Sequence, residues 1–141
     1  MLKQAVYIKI LTTTQTPDGQ KDSMELDTQG HLTLEEKEVR LRYDVYEDGI
    51  KKTSTVHYDG NKTVTLHSDS QMQYYLKLQK DDTTTNRIYS FGYEMLLHVF
   101  TTHLSFEFNK QSGFILLQYD LISNDQILTT NQIRIETAVK D

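Results

Sequence analysis

Apolar and polar residues alternate with a period of two along most of this chain. Val6, Ile8 and Ile10 are separated by Tyr7 and Lys9, and Val39, Leu41, Tyr43 and Val45 by Arg40, Arg42 and Asp44. Met72, Tyr74, Leu76 and Leu78 alternate with Gln73, Tyr75, Lys77 and Gln79, and Ile133 and Ile135 with Arg134 and Glu136. Each pattern predicts a strand with one buried and one wet face. Turn-forming residues punctuate the chain at Pro17-Asp18-Gly19, Gln29-Gly30, Glu47-Asp48-Gly49, Asp59-Gly60-Asn61, Ser68-Asp69-Ser70, Asp81-Asp82-Thr83, Phe91-Gly92, Gln111-Ser112-Gly113 and Ser123-Asn124-Asp125. Turns at this spacing, roughly every ten residues, predict sequential hairpins in an all-β fold.

Two stretches give finer expectations. Around Asp59-Gly60-Asn61, a three-residue loop with Gly60 or Asn61 at positive φ sets Val56 opposite Val64 and Thr55 opposite Thr65. His57 then faces Thr63 and His67 faces Thr53, which separates the two imidazoles on the outer face. From Tyr93 to Asn109, the run Met95, Leu96, Leu97, His98, Val99, Phe100 is apolar on both faces, and Leu104, Phe106 and Phe108 then alternate with Ser105 and Glu107. One long strand, bent or bulged near Thr101-Thr102, accounts for both halves, although the first half alone also suits a helix.

The chain has 141 residues, two of them alanine and none cysteine. That length matches one domain, residues 1–141, with a folded surface of roughly 7,500 Å². Eight to ten strands with short connections must close or split, because open edges invite aggregation. The expected fold is therefore a single antiparallel up-and-down β-barrel, with a sandwich as the alternative. The missing cysteines exclude disulfides, thiolate metal sites and cysteine nucleophiles. A net charge of −5 argues against nucleic acid and anionic membranes as partners. Lys3 and Lys9 interrupt the N-terminal apolar residues, so a cytoplasmic protein without a secretory signal is expected.

Candidate chemistry is sparse. Tyr43, Tyr58, Tyr74 and Tyr119 fall in phase with the apolar set, and their hydroxyls are candidates to line an interior pocket. His98, inside an apolar run, joins them, although a lone histidine there is more often a bonded core or interface residue than a ligand or base. Met95, Leu97, Val99, Phe114 and Leu116 are candidates for an outer apolar face that meets another protein or a second copy. Arg40 and Arg42 alternate with the apolar set and belong outside. Asp22, Glu25 and Asp27, near Glu35, Glu36 and Glu38, are read as a solvated strand face opposite lysines. The histidines lack helical zinc spacing, and no serine elbow or glycine-rich phosphate loop occurs, so no metal or cofactor is expected, and a hydrolase would need an internal carboxylate or histidine cluster that the sequence does not display.

The stretch Asp18-Gly19-Gln20-Lys21-Asp22-Ser23-Met24-Glu25-Leu26-Asp27-Thr28-Gln29-Gly30, followed by Val39-Arg40-Leu41-Arg42-Tyr43, resembles the YwiB-like family of uncharacterised bacterial proteins from Firmicutes. Tyr89-Ser90-Phe91-Gly92 and Gly113-Phe114-Ile115-Leu116-Leu117-Gln118-Tyr119-Asp120-Leu121 extend the likeness over essentially the whole chain, though relatives often carry a proline near Ser90 that is absent here. The resemblance implies a lipocalin-like (calycin) barrel and supplies no catalytic residues. The function expected is non-enzymatic binding of a small amphipathic molecule in the barrel interior. The alternative is an interaction module or homodimer using the outer apolar face.

Overall fold

The structure, a computed structural model, describes residues 2–69, 72–90 and 92–140, without the side chains of Glu47, Met72, Gln73, Tyr74 and Ser90. Ten strands follow one another: β1 Leu2–Gln15, β2 Lys21–Glu35, β3 Glu38–Glu47, β4 Ile50–Tyr58 and β5 Thr63–Asp69. They continue as β6 Met72–Gln79, β7 Thr83–Ser90, β8 Tyr93–Phe108, β9 Ser112–Ser123 and β10 Gln126–Val139. Each pairs antiparallel with its sequence neighbour, and β1 pairs with β10 from Val6↔Val139 to Gln15↔Thr130, so the sheet closes into a barrel. Closure removes the unpaired edges that a meander of this length would expose.

The alternation fixes which side faces in. Val6, Ile8, Ile10, Leu32, Val39, Leu41, Val56, Val64, Leu66, Leu76 and Leu78 are buried in one cluster with Ile115, Leu117 and Ile135. In β8 the inward parity changes once. Leu97, Val99 and Thr101 are buried on odd numbers, whereas Leu104, Phe106 and Phe108 pack inward on even ones. The register shift between Thr101 and His103 absorbs the extra residue, a bulge where the sequence predicts one.

Two expectations are corrected, and one turn occurs where none is predicted. Gly30 lies inside β2 and makes no turn. A Cβ there would stand 2.1 Å from the Arg42 carbonyl oxygen and 2.9 Å from Ile8 Cδ1, so the glycine permits a close crossing of β1, β2 and β3. The chain instead turns at Glu36-Lys37, with Glu36 at φ 53°, without a glycine, proline or asparagine to announce it. The β4–β5 register is the second correction. Val56 faces Leu66 and Tyr58 faces Val64 across a four-residue connection, two positions from the predicted pairing. The Asp59 carboxylate makes the longer turn, with Oδ1 accepting from the Asn61 and Thr63 amides at 2.8 and 3.2 Å.

The β6–β7 seam is short, running from Met72↔Ser90 to Tyr74↔Ile88. Beyond it, the buried Asn86 side chain replaces the ladder. Its Oδ1 accepts from the Lys77 amide at 2.8 Å, and its Nδ2 donates to Thr84 Oγ1 at 3.1 Å. The Thr84 hydroxyl donates in turn to the Lys77 carbonyl. Past the start of β7, the Asp81 amide donates to the Thr101 carbonyl at 2.8 Å, tying the end of β6 directly to β8.

Candidate functional site

The interior has two chemical zones. One is aliphatic and is sealed by Tyr58, whose ring stacks on Phe106 with centroids 3.9 Å apart and whose hydroxyl donates to the Asn61 carbonyl at 3.0 Å. The other is richer in hydroxyls and amides. Tyr43 pairs with Ser54, and Ser54 with the buried Ser68. Tyr119 pairs with Thr101 on one side and Asn131 on the other. Asn131 accepts from Thr14 Oγ1 at 3.1 Å and donates to Thr129 Oγ1 at 2.9 Å. The Thr101 side chain is fully buried, and its hydroxyl has no hydrogen-bond partner among the described residues.

The predicted pocket residues therefore divide. Tyr43 and Tyr119 lie in the polar zone, while Tyr58 belongs to the seal about four residues further along β4 than Ser54. The side chain of Tyr74 lies outside the described residues. His98 does not point inward: it sits between the buried Leu97 and Val99 on the outer face, with Nδ1 3.1 Å from Thr85 Oγ1. Period two alone carries this result, since an imidazole flanked by two interior residues must face out.

The predicted outer face also breaks up. Leu97 and Val99 are core residues and leave it. Phe114 and Leu116 are half-buried on the outside of β9, where the Arg134 guanidinium lies 4.7 Å from the Phe114 ring centroid. Met95 is 47% exposed at the opposite end of β8, beside exposed Tyr89, Tyr93 and Leu96.

The carboxylates of β2 are exposed. Glu25 meets Lys9 Nζ at 2.9 Å, and Asp27 stands opposite Lys9 in register. The hydrogen bond and charge of Glu25, aided by Asp27, raise the Lys9 pKa. Among the described residues, no three histidine or acidic side chains could hold a metal ion together. Among the described residues, no helix is long and apolar enough to cross a membrane, which says nothing of strands.

The corrected β4–β5 register matters most outside the barrel. His67 now faces Thr55, beside Arg42, and His57 faces Thr65, beside Arg40. These residues line a groove of about 540 Å³ over the outer face of β3 to β6, which also holds Asp69 and Tyr75. A second depression of about 690 Å³ shares Arg40 and Arg42 and adds Lys3, His31, Lys51 and Lys140. Alternation alone places both arginines outside; the β3–β4 pairing sets Arg40 against His57, and the two-residue difference in the β4–β5 register brings His67 beside Arg42 instead of Asp44.

Residues 8–135 match the model of a family described as a domain of unknown function, DUF1934. The chain belongs to the DUF1934 family. The DUF1934 barrel seen here is also similar to the crystal structure of the ywiB protein from Bacillus subtilis, with a TM-score of 0.83 at 15% identity, over 99% of this chain and 94% of that one. At that identity the likeness establishes a shared fold. A search of curated proteins finds no match. The family resemblance read from Asp18–Gly30 and Gly113–Leu121 is thus confirmed, while the chemistry of this DUF1934 member rests on its own side chains.

Proposed function

We propose that this protein is a non-enzymatic binding protein that takes a small, partly apolar molecule into the polar zone of its barrel interior, in the manner of lipocalins. The Thr101 hydroxyl carries the reading. It is fully buried and without a partner among the described residues, next in register to Tyr119. Burying an unbonded hydroxyl costs about 1–3 kcal/mol, and a ligand oxygen or nitrogen seated there removes that cost. The aliphatic surroundings suit the rest of such a molecule, since ligand sites are largely apolar with a few placed polar groups.

Native mass spectrometry of protein purified without added ligand, together with a thermal-shift screen of fatty acids, sterols and aromatic metabolites, tests this. Co-purifying mass or a stabilising compound is expected. Thr101→Val, which keeps the shape and removes the hydroxyl, should leave the free protein at least as stable while shrinking the ligand-induced shift. A bare mass with no stabilising compound overturns the reading.

A second reading rests on the exposed Tyr89, Tyr93, Met95 and Leu96 at the β7–β8 hairpin, with Ile127 and Leu128 exposed on the β9–β10 hairpin. Apolar side chains gathered at one end suit a second copy or another protein. Sedimentation at low micromolar concentration checks it. A monomer unchanged by Leu96→Lys argues for the interior alone.

A further inference from the structure

The outer groove over β3 to β6 is graded from cation to aromatic. Arg42, Thr55, His67 and Tyr75 stand in one straight row across four strands. The row spans about 14 Å at the usual strand spacing. Arg40, His57, Thr65 and Lys77 form the next row. At the β3 end the charge is poorly compensated. Arg42 makes no ion pair among the described residues, and Arg40 is 3.9 Å from Glu38, whose Oε1 is engaged at 2.5 Å by His57. Asp44 is taken up by Lys51 at 3.5 Å and by the Thr53 hydroxyl at 3.0 Å. At the far end, Tyr75 is 62% exposed, with its ring tilted against His67 at 5.9 Å, and Asp69 adds a carboxylate.

This grading departs from the average of a chain with 20 acidic and 15 basic residues. A guanidinium pair with, among the described residues, only one long ion pair between its two members suits the oxygens of a phosphate, which guanidinium binds in forked geometry. An exposed aromatic ring offers a stacking face to any base. A carboxylate beside that ring accepts hydrogen bonds from sugar hydroxyls, and threonines 53, 55 and 65 floor the space between. The groove volume of about 540 Å³ falls in the range of small-molecule sites.

We propose that this groove is a nucleotide site, holding the phosphates of a nucleoside phosphate on Arg40 and Arg42 and stacking its base on Tyr75. The site is separate from the barrel interior, so the two readings stand or fall independently.

Isothermal titration of the full chain with ATP, CTP, adenosine and inorganic pyrophosphate tests it. Both triphosphates should bind more tightly than either fragment, and more weakly as salt rises. Arg42→Ala and Tyr75→Ala should each weaken ATP at least tenfold, whereas Lys110→Ala, far from the groove, should leave it unchanged. Both altered positions are exposed, and matching circular dichroism confirms that each variant folds. Failure of ATP to bind at millimolar concentration overturns the proposal, as does binding indifferent to Arg42→Ala. Pyrophosphate binding as tightly as ATP, with Tyr75→Ala silent, also overturns it and leaves a simple anion site.

Discussion

Single residues set the two sharpest constraints in this barrel. At Gly30 the nearest obstacle to a Cβ is the backbone oxygen of Arg42, which cannot retreat without breaking the β2–β3 ladder at Gly30↔Tyr43. Gly30→Ala should therefore cost about 3 kcal/mol, the upper end for overpacking, read as a lower urea midpoint at unchanged slope. Asp59 acts differently. Burial alone would raise its pKa, but the amides of Asn61, Thr63 and Lys62 outweigh that and hold it below the ordinary carboxylate value. A depressed carboxyl stabilises the fold at pH above its unfolded pKa, near 4, and that contribution disappears as pH falls through the folded value. Asp59→Ala should cost about 1 kcal/mol at pH 7, and urea titrations at lower pH should show the gap to the wild type closing below about pH 4. Gln29-Gly30 reads as a turn signal on composition alone. The stronger signal was the unbroken alternation of Leu26, Thr28, Gly30, Leu32 and Leu34, which makes it a strand glycine.

Elements were legible wherever period two ran clean, and hidden wherever a side chain replaced backbone pairing. The β8 bulge was readable because the parity of apolar residues changes between Val99 and Leu104. Deleting Thr102 should remove the bulge and make the β8–β9 register continuous, with Leu97, Val99, Leu104, Phe106 and Phe108 all still facing inward, so the variant should fold cooperatively by circular dichroism. Thr102→Ala, which removes only a hydroxyl donating to the Gln118 carbonyl at 3.2 Å, should change stability by about 1 kcal/mol at most. The β6–β7 seam was not readable, since nothing in the order of residues announces that Asn86 bonds the Lys77 amide. Asn86→Leu fills similar space but leaves that amide unpaired, and should cost about 1–3 kcal/mol. Amide hydrogen exchange at Lys77, faster than at neighbouring β5 positions, would locate the damage. The β4–β5 register failed for a related reason. Even-sum pairings two residues apart bury the same faces, so hydrophobic pattern cannot choose between them, and the Asp59 carboxylate decides.

At the scale of the molecule, closure is the event on which every site depends. The outer groove takes its residues from four neighbouring strands, and Tyr119 stands between Thr101 of β8 and Asn131 of β10 because β9 pairs with both. The folded surface is 8991 Å², above the roughly 7,500 Å² expected for a compact chain of this mass. The excess fits a barrel with projecting hairpins, whose stability leans on a continuous ladder rather than on a thick core. The ladder is sealed by β1 and β10, and the Lys140 amide extends it by donating to the Ala5 carbonyl at 3.0 Å. Chain order within the barrel should then be dispensable while closure is not. A circular permutant opened between Asp48 and Gly49, with residues 141 and 1 joined by a flexible linker, keeps every pairing and should unfold cooperatively, with stability near the parent's. Removing residues 130–141 takes most of β10 away and exposes the edges of β1 and β9, so that variant should aggregate. Size-exclusion profiles and urea curves of the two variants make the comparison. If the shortened chain stays monomeric and cooperative while the permutant collapses, the stability of this fold lies in its individual hairpins and not in the closed ring.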